Sequence, residues 1–390
     1  MSSNHYYNYG TKHSRKGSRR RGAAAIPDAL IAIVTLVVSA AMLLSFTAQW
    51  IHPEKAGLLP VLCLVIPVLY IIETALLLYW TIRWKKLVFL PLCVLAVGLF
   101  GLNGFFKPEF GRTYSEPARD KSAFTVMTYN VMGIMHRENN KLYSSMDTVA
   151  GIIASEKPDI LCIQEFQSTA EAPKERFDEL LDWLPYSTAA YKRETSTNRG
   201  WGVAIYSRYP ILKTGVIDYN GTSNSSKWAD IRIDNDTVRV FCSHLQTTAI
   251  STSDHDFITN MDFVTDSTRS EKLGSIYHKL QQNFSIRARQ ADSLSQHIAA
   301  SPHPVVVCGD FNDTPMSYVY HTMSRGLKDG FKQAGHGMQS TYRGFFDMLR
   351  IDYILHSPEM QTVRYDVPDF DVSDHNPVVA DIKFVKGKSK

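Results

Sequence analysis

An α/β or α+β domain preceded by three transmembrane helices is the fold this 390-residue sequence predicts, on three observations. Residues 29–48, 58–82 and 87–106 are long apolar runs. Past them, short β-branched runs alternate with stretches whose apolar residues recur at mixed three and four spacing. Charge divides at the same place: residues 1–117 carry twelve Lys/Arg against five Asp/Glu, whereas residues 118–390 carry thirty against thirty-three. The basic excess therefore sits beside the apolar runs, and the larger part offers no net positive field to attract polyanions.

Roughly 20 apolar residues cross about 30 Å of hydrocarbon as a helix, so each run is read as a span. Lys12, Arg15, Lys16, Arg19, Arg20 and Arg21 precede the first with no acid until Asp28, and Arg83, Lys85 and Lys86 separate the second from the third. Positive charge stays inside, which gives a path of in, out, in, out. The protein is then an integral membrane protein with a cytoplasmic N-terminus and a periplasmic or extracellular C-terminal domain. A signal peptide cleaved near Ala48 is the rival, but two further apolar runs follow at once. The Arg19–Arg21 cluster lacks the apolar residues a twin-arginine signal would place after it. Glu73 lies inside the second run, where an ionisable group invites a functional reading. With no other acid, base or His in the spans to form a relay, pairing within the helices is the simpler one.

Cys63 and Cys93 fall in the spans, and Cys162, Cys242 and Cys308 in strand-like runs. That odd number, without metal-type spacing, implies small buried hydrophobes and no disulfide framework. The organisation that follows is a basic tail over 1–25, an anchor over 26–106, a linker over 107–121 rich in Pro, Gly, Ser and charge, a large folded domain over 122–385, and a basic tail over 386–390.

Strands are expected at 124–131, 159–164, 201–207, 228–233, 238–242, 305–308, 351–355 and 378–384. Helices are expected at 143–155, 174–184, 271–300 with interruptions, and 317–324. Several strands stop in an acid, an amide or a His. Asn130, Glu165 and His244 each end one, Asp310 and Asn312 follow VVVCG, and Asp374 and His375 open SDHNP before the last. A strand end is where a rigid sheet presents side chains to a cleft. One such residue alone is a turn or cap; the ordered set is not. Hard oxygen ligands suit Mg²⁺ or Mn²⁺, whereas zinc would call for more His or Cys. Hydrolysis of a phosphate ester needs a positioned water, a base, charge neutralisation and help for the leaving group, all of which carboxylates, amides and histidines supply.

TYNV (128–131), IQE (163–165), SHLQT (243–247), GDFND (309–313), RIDYIL (350–355) and SDHNP (373–377) resemble the signature blocks of the endonuclease/exonuclease/phosphatase superfamily, across about residues 122–385. The resemblance implies a four-layered α/β/β/α sandwich with the site in a cleft at one end of the sheets. It implies Glu165 as principal metal ligand, with Asn130 and Asp374 holding metal or phosphate. Asp310 would orient or deprotonate the attacking water, Asn312 would bond that water or a phosphate oxygen, and His244 would stabilise charge in the transition state. His375, paired to Asp352, would bind phosphate or act in acid/base catalysis. His244 stands where exonuclease III relatives usually carry Tyr, which points toward the deoxyribonuclease, sphingomyelinase and phosphatase branches. Arg287 and Gln290 resemble an R-x-x-Q pair expected to face the interior and brace the catalytic loops. Gly200, Gly202, Ser207 and Arg208 match a block read as structural. Asp254, His255 and Asp256 read as a solvated loop rather than a second metal site, and the long stretch 251–285 is expected to border the substrate groove.

The expectation is a membrane-anchored, Mg²⁺-dependent phosphoesterase, nuclease-like or phospholipase-C/sphingomyelinase-like. Its substrate would be a phospholipid head group, extracellular nucleic acid or a small phosphate ester, and no protein partner is inferred. The alternatives are a catalytically inactive module that binds a lipid or protein, and a channel or transporter with a soluble sensor.

Overall fold

The computed structural model describes residues 25–57, 59–108, 120, 122–138, 141–168, 174–194, 199–248 and 267–385. The basic cluster before Ala25, most of the expected linker, the Asp254, His255 and Asp256 triplet and the tail 386–390 lie outside the described residues. The chain divides into two compact units, one of residues 1–43 and 68–97, the other of residues 44–67 and 98–390.

The first unit holds α1 (Ala25–Thr47) as far as Leu43 and the apolar sequence from Val68 to Val97, and the stretch between, Leu44–Pro67, belongs to the second. Of the three expected spans, one is a helix long and apolar enough to cross a membrane, Ile26–Trp50, of 25 residues. The second run is broken at Val65 into α3 (Leu59–Leu64) and α4 (Ile66–Ile82), which follow the short α2 (Pro53–Ala56). The third run yields only α5 (Phe89–Leu102) behind a 3₁₀ turn. Prolines set these limits: Pro67 and Pro91 sit in the first turns of α4 and α5, where a missing N–H costs nothing, and bar helix from continuing through them. Glu73 is buried and accepts a hydrogen bond from Ser39 Oγ at 2.5 Å. Asp28 is paired with Arg83 at 2.9 Å.

Among the described residues, the second unit contains fourteen strands: β1 (Phe124–Asn130), β2 (Met135–Glu138), β3 (Lys141–Ser144), β4 (Ile160–Ser168), β5 (Tyr186–Glu194), β6 (Arg199–Ser207), β7 (Ile211–Asp218), β8 (Ser225–Ile233), β9 (Asp236–His244), β10 (Val305–Asp310), β11 (Lys328–Asp329), β12 (Asp352–His356), β13 (Met360–Asp366) and β14 (Val378–Phe384). Twelve form two six-stranded sheets, ordered β13-β14-β1-β4-β6-β5 and β11-β12-β10-β9-β8-β7. Each sheet has one parallel pair near its centre, β1 with β4 and β9 with β10, among antiparallel neighbours.

Period-two alternation builds the layers. Val126, Cys162, Cys242, Val306 and Cys308 point between the sheets, in one core with Ile205, Val240 and Ile354. Their neighbours Met127, Leu161 and Ile163 point outward onto Val149 and Ile153 of α6 (Met146–Glu156), near α7 (Lys174–Leu180). On the opposite side Phe241, Val307 and Leu355 meet Ala291 and Leu294 of α8 (Ser267–Ala299). Helices therefore cover both outer faces of two packed sheets. The helix expected with interruptions over 271–300 is continuous for 33 residues. Completing the set are α9 (Tyr318–Met323) and α10 (Gly330–Ala334).

The parallel pairing of β9 and β10 sets Gly309 opposite Ser243, so close that a Cβ on Gly309 would lie 1.9 Å from the Ser243 carbonyl oxygen, and its φ of +138° is one only glycine adopts freely. Gly309→Ala is expected to destabilise the fold by roughly 3 kcal/mol from combined strain and overpacking, read as a lower midpoint in denaturant unfolding.

Candidate active site

Strand register gathers the polar residues in a row. In the second sheet Asp310 lies beside His244 on its parallel side and beside Asp352 on its antiparallel side. Asn130 ends β1 next to Gln164 of β4. Glu165, one residue on, sits at a β-bulge between Ile163 and Phe166 with φ +52°. A bulge re-aims a side chain, and here the backbone conformation is one a non-glycine residue holds only under constraint.

Asp310 is the hub. It is buried and accepts from Asn312 N at 2.7 Å, Asn312 Nδ2 at 3.0 Å and Asn130 Nδ2 at 3.1 Å. The Asn130 amide also reaches Glu165 Oε1 at 3.1 Å, tying the two sheets together. Burial pushes the Asp310 carboxyl above the usual range, with the Asp352 charge adding to it and the two histidines opposing. Asp374 is likewise raised, by burial and then by the Glu165 and Asp310 charges beside it.

His375 Nδ1 donates to Asp352 Oδ2 at 2.9 Å, and its Nε2 stands 3.7 Å from Asp310 Oδ2. Burial alone would strip the ring of its proton, but Asp352 and Asp310 outweigh it and hold the imidazolium, its pKa pushed up to about 10. Asp310, Asp352 and His375 have ligating atoms within 4.8 Å of one another. A protonated ring with Nδ1 committed to Asp352 is nevertheless a poor metal ligand, and the geometry fits an acid/base pair better. His244 Nε2 is buried with no hydrogen-bond partner, 3.6 Å from Glu165 Oε1 and 3.8 Å from Asp310 Oδ2. An orphaned ring nitrogen facing carboxylates is a place for a group bound between them.

Arg287 and Gln290, on α8, do not touch this cluster. Arg287 is wholly buried, donates to the Gln246 carbonyl at 2.6 Å and Thr248 Oγ1 at 2.9 Å, and meets Asp313 at 3.3 Å. Gln290 accepts from Gln246 N at 2.7 Å. Together they hold the segment that follows His244 against the turn that follows Asn312. Of the block around Gly200, Gly202 lets β5 pass so closely that a Cβ would lie 1.8 Å from the Ala190 oxygen, and Arg208 pairs with Asp159 at 3.2 Å.

Three features escaped the sequence reading. Tyr342 bridges to His375 through the backbone, its ring 5.1 Å from the imidazole. Arg343 N donates to the Asp374 carbonyl at 2.9 Å. A cleft of about 780 Å³ extends from Glu165 and His244 past Trp201, Thr222, Asn224 and Gln246. Tyr342 and Arg343 come from a loop without hydrophobic periodicity; of the cleft, Glu165 and His244 were marked as strand ends, while the RGWG string around Trp201 pointed to strand packing.

Residues 127–375 match the family model described as Endonuclease/Exonuclease/phosphatase family. The chain belongs to that family. Its match spans every strand-end residue named above. Residues 28–105 match a second family, described only as a domain of unknown function. No curated protein matches the chain. Among solved structures, an endonuclease/exonuclease/phosphatase from Beutenbergia cavernae is 18% identical, with a TM-score of 0.51 over 68% of this chain and 72% of that one. The human Nocturnin catalytic domain is 20% identical with a TM-score of 0.48, over 70% of this chain and 100% of that one. A family protein from Leptotrichia buccalis is 17% identical with a TM-score of 0.47, over 67% of this chain and 100% of that one.

Proposed function

We propose that the protein is a membrane-anchored, Mg²⁺-dependent phosphoesterase whose catalytic domain lies outside the cytoplasm. The observation that carries this reading is the pair of carboxylates, Glu165 and Asp310, that face the buried Nε2 of His244, which has no hydrogen-bond partner, with Asp374 close enough to both acids to feel their charge. Like charges held this close favour a bound cation, and the oxygen donors of Glu165, Asn130 and Asp374 suit Mg²⁺, or Mn²⁺. When bound, the ion would neutralise charge on the ester's non-bridging oxygens.

The chain's own groups do the rest. Asp310, fixed by its three N–H donors, takes the proton of the attacking water as the new P–O bond forms. Asn312 spends its amide on Asp310 and on the Leu245 carbonyl, at 3.0 Å each, and so orients that carboxylate. His244 donates from Nε2 to a non-bridging oxygen. His375, kept protonated by Asp352, supplies the proton that the leaving oxygen needs as its bond to phosphorus breaks.

Membrane attachment rests on α1, with α4 and α5 as shorter apolar helices beside it in sequence. The connection after α1 packs on the catalytic domain: Thr314 Oγ1 donates to the Cys63 carbonyl at 3.0 Å, and His52 meets Asp292 at 3.5 Å. Connection and domain then share one side of the membrane, and the basic residues before α1 and after α4 assign the other side to the cytoplasm.

The test is cleavage of bis(4-nitrophenyl) phosphate, single-stranded DNA and phospholipid vesicles by the full chain, with Mg²⁺ and with EDTA. Cleavage of at least one class is expected, lost in EDTA. In Glu165→Gln, Mg²⁺ affinity should fall at least about 10-fold, since even outer-sphere changes cost that much. A folded full chain that cleaves none of these and binds no Mg²⁺ in calorimetry would sink the reading.

A further inference from the structure

Beside the active site stands a rim whose conformation the protein's interior does not explain. Tyr342 faces the site, its hydroxyl pKa raised by burial and then by the Asp374, Asp310 and Glu165 carboxylates. The chain then reverses at Gly344, which folds so tightly on Tyr342 that a Cβ would lie 2.3 Å from its ring. Phe345, Phe346 and Asp347 follow with φ of +51°, +61° and +54°. Bulky residues are seldom held in that region. The two rings lie 5.8 Å apart edge to face, and Phe346 is 80% exposed, so apolar surface is turned outward at a conformational cost.

The loop that carries this rim is tied, at Gly337, to the chain that leaves the apolar segment. Lys107 N donates to the Gly337 carbonyl at 2.9 Å and Gly337 N to the Lys107 carbonyl at 2.8 Å, while Lys107 Nζ caps the Lys332 and Gln333 carbonyls. Met338, next to Gly337, is 54% exposed. The last apolar helix, α5, ends at Leu102, five residues before Lys107. Five residues reach at most roughly 17 Å fully extended. Here they reach less, since Phe105 N and Phe106 N both fold back to the Leu102 carbonyl at 2.9 Å. Where α5 ends at a membrane surface, Gly337 and Met338 start this loop close to it, and Phe345 follows seven residues after Met338.

We propose that Met338, Phe345 and Phe346 enter the bilayer interface and hold the site against it, so that the ester cleaved is the phosphate ester of a membrane lipid. This rests on the phosphoesterase reading above and narrows its substrate to a lipid head group. Aromatic rings prefer the interfacial zone, and a substrate kept in that plane reaches the Tyr342 side of the site without leaving the membrane.

The experiment uses the full chain reconstituted in vesicles of phosphatidylcholine, phosphatidylethanolamine and phosphatidylglycerol, beside a Met338→Ser, Phe345→Ser, Phe346→Ser triple variant. Because the three side chains are exposed at the rim, the variant should unfold at the wild-type temperature. Lipid phosphate-ester cleavage is expected to fall at least 10-fold while cleavage of bis(4-nitrophenyl) phosphate stays within twofold. Equal lipid rates for the two proteins would overturn the proposal, as would a wild type that cleaves the soluble ester or DNA but no lipid; both leave the phosphoesterase reading intact. Absence of all cleavage removes that reading and this one with it. Phe346→Trp supplies a readout independent of turnover: its emission, taken as the difference from wild type, should be quenched by brominated phosphatidylcholine. An unquenched signal, or a signal altered only by raising protein concentration, assigns the rim to solvent or to a second copy and overturns the proposal.

Discussion

Asp310→Asn is expected to lower kcat by roughly 10³-fold on any ester the protein cleaves, the middle of the range that a positioned general base supplies. That factor corresponds to about 4 kcal/mol of barrier. The substitution keeps the side chain's size but removes the proton acceptor. It also sets a new N–H against the donors that now converge on the carboxylate, Asn312 N at 2.7 Å, Asn312 Nδ2 at 3.0 Å and Asn130 Nδ2 at 3.1 Å. One of those donors must lose its acceptor, so the unfolding temperature should drop by a few degrees as well, on the order of 1 kcal/mol of stability. The two effects separate cleanly, because a loss of folded protein that small leaves turnover per folded molecule untouched. Single-turnover rates at saturating substrate, beside an unfolding curve on the same sample, make the measurement. A kcat within tenfold of wild type would remove Asp310 from the chemistry and move the role of base to another carboxylate of the cluster.

How much of this was legible in the sequence depends on what each segment is buried against. β1, β4, β9, β10, β12 and β14 have a packed layer on each face, so they read as β-branched runs and were found within a residue or a few of their ends. β5, β7 and β13 were missed. β7 carries Leu212, Lys213 and Thr214 exposed in succession, and an edge strand solvated to that degree lacks the alternation that marks a strand. In the apolar region, composition pointed to three spans, and one helix, Ile26–Trp50, is long and apolar enough to cross a membrane, but composition could not locate helix ends. Pro67 and Pro91 do that, and they shorten two of the three expected spans. At the site, the strand-end residues stood out because a short polar string after an apolar strand is unusual; Asn130, Glu165, His244, Asp310 and Asp352 are brought together by sheet register, which no single string reveals. Tyr342 lies on a loop whose sequence carries no period, and only the fold brings it against His375.

Arg350→Met is expected to destabilise the catalytic domain by about 3–5 kcal/mol, the usual consequence of leaving one charge of a buried pair alone. Arg350 and Asp329 are both buried and meet in a fork, Nη2 to Oδ2 at 2.8 Å and Nη1 to Oδ1 at 3.3 Å. Further bonds hold both partners: Tyr320 OH and Phe331 N donate to the carboxylate at 2.6 Å and 2.9 Å, and Arg350 Nε donates to the Gly104 carbonyl at 2.9 Å. The guanidinium also stands 4.6 Å from the Phe331 and Tyr353 ring centres. This pair thus ties β12, which carries Asp352, to α10 and to the chain just past α5. Burial alone would raise the Asp329 carboxyl, but the Arg350 charge outweighs it and leaves the pKa below the usual carboxylate value. A depressed folded-state pKa means that this group's stabilisation is complete above its unfolded pKa of about 3.9 and is lost as pH falls through the lower folded value. In Arg350→Met the sign reverses, since burial without the cation raises Asp329, so the variant's deficit should be largest at neutral pH and shrink as acid neutralises the stranded carboxylate. Denaturant unfolding of both proteins at pH 7 and at pH 4.5 measures the difference, and Asp329→Asn added to Arg350→Met should recover part of it at pH 7. A deficit that is constant across that interval would mean that Arg350 contributes by packing on Phe331 and Tyr353 and not by its charge.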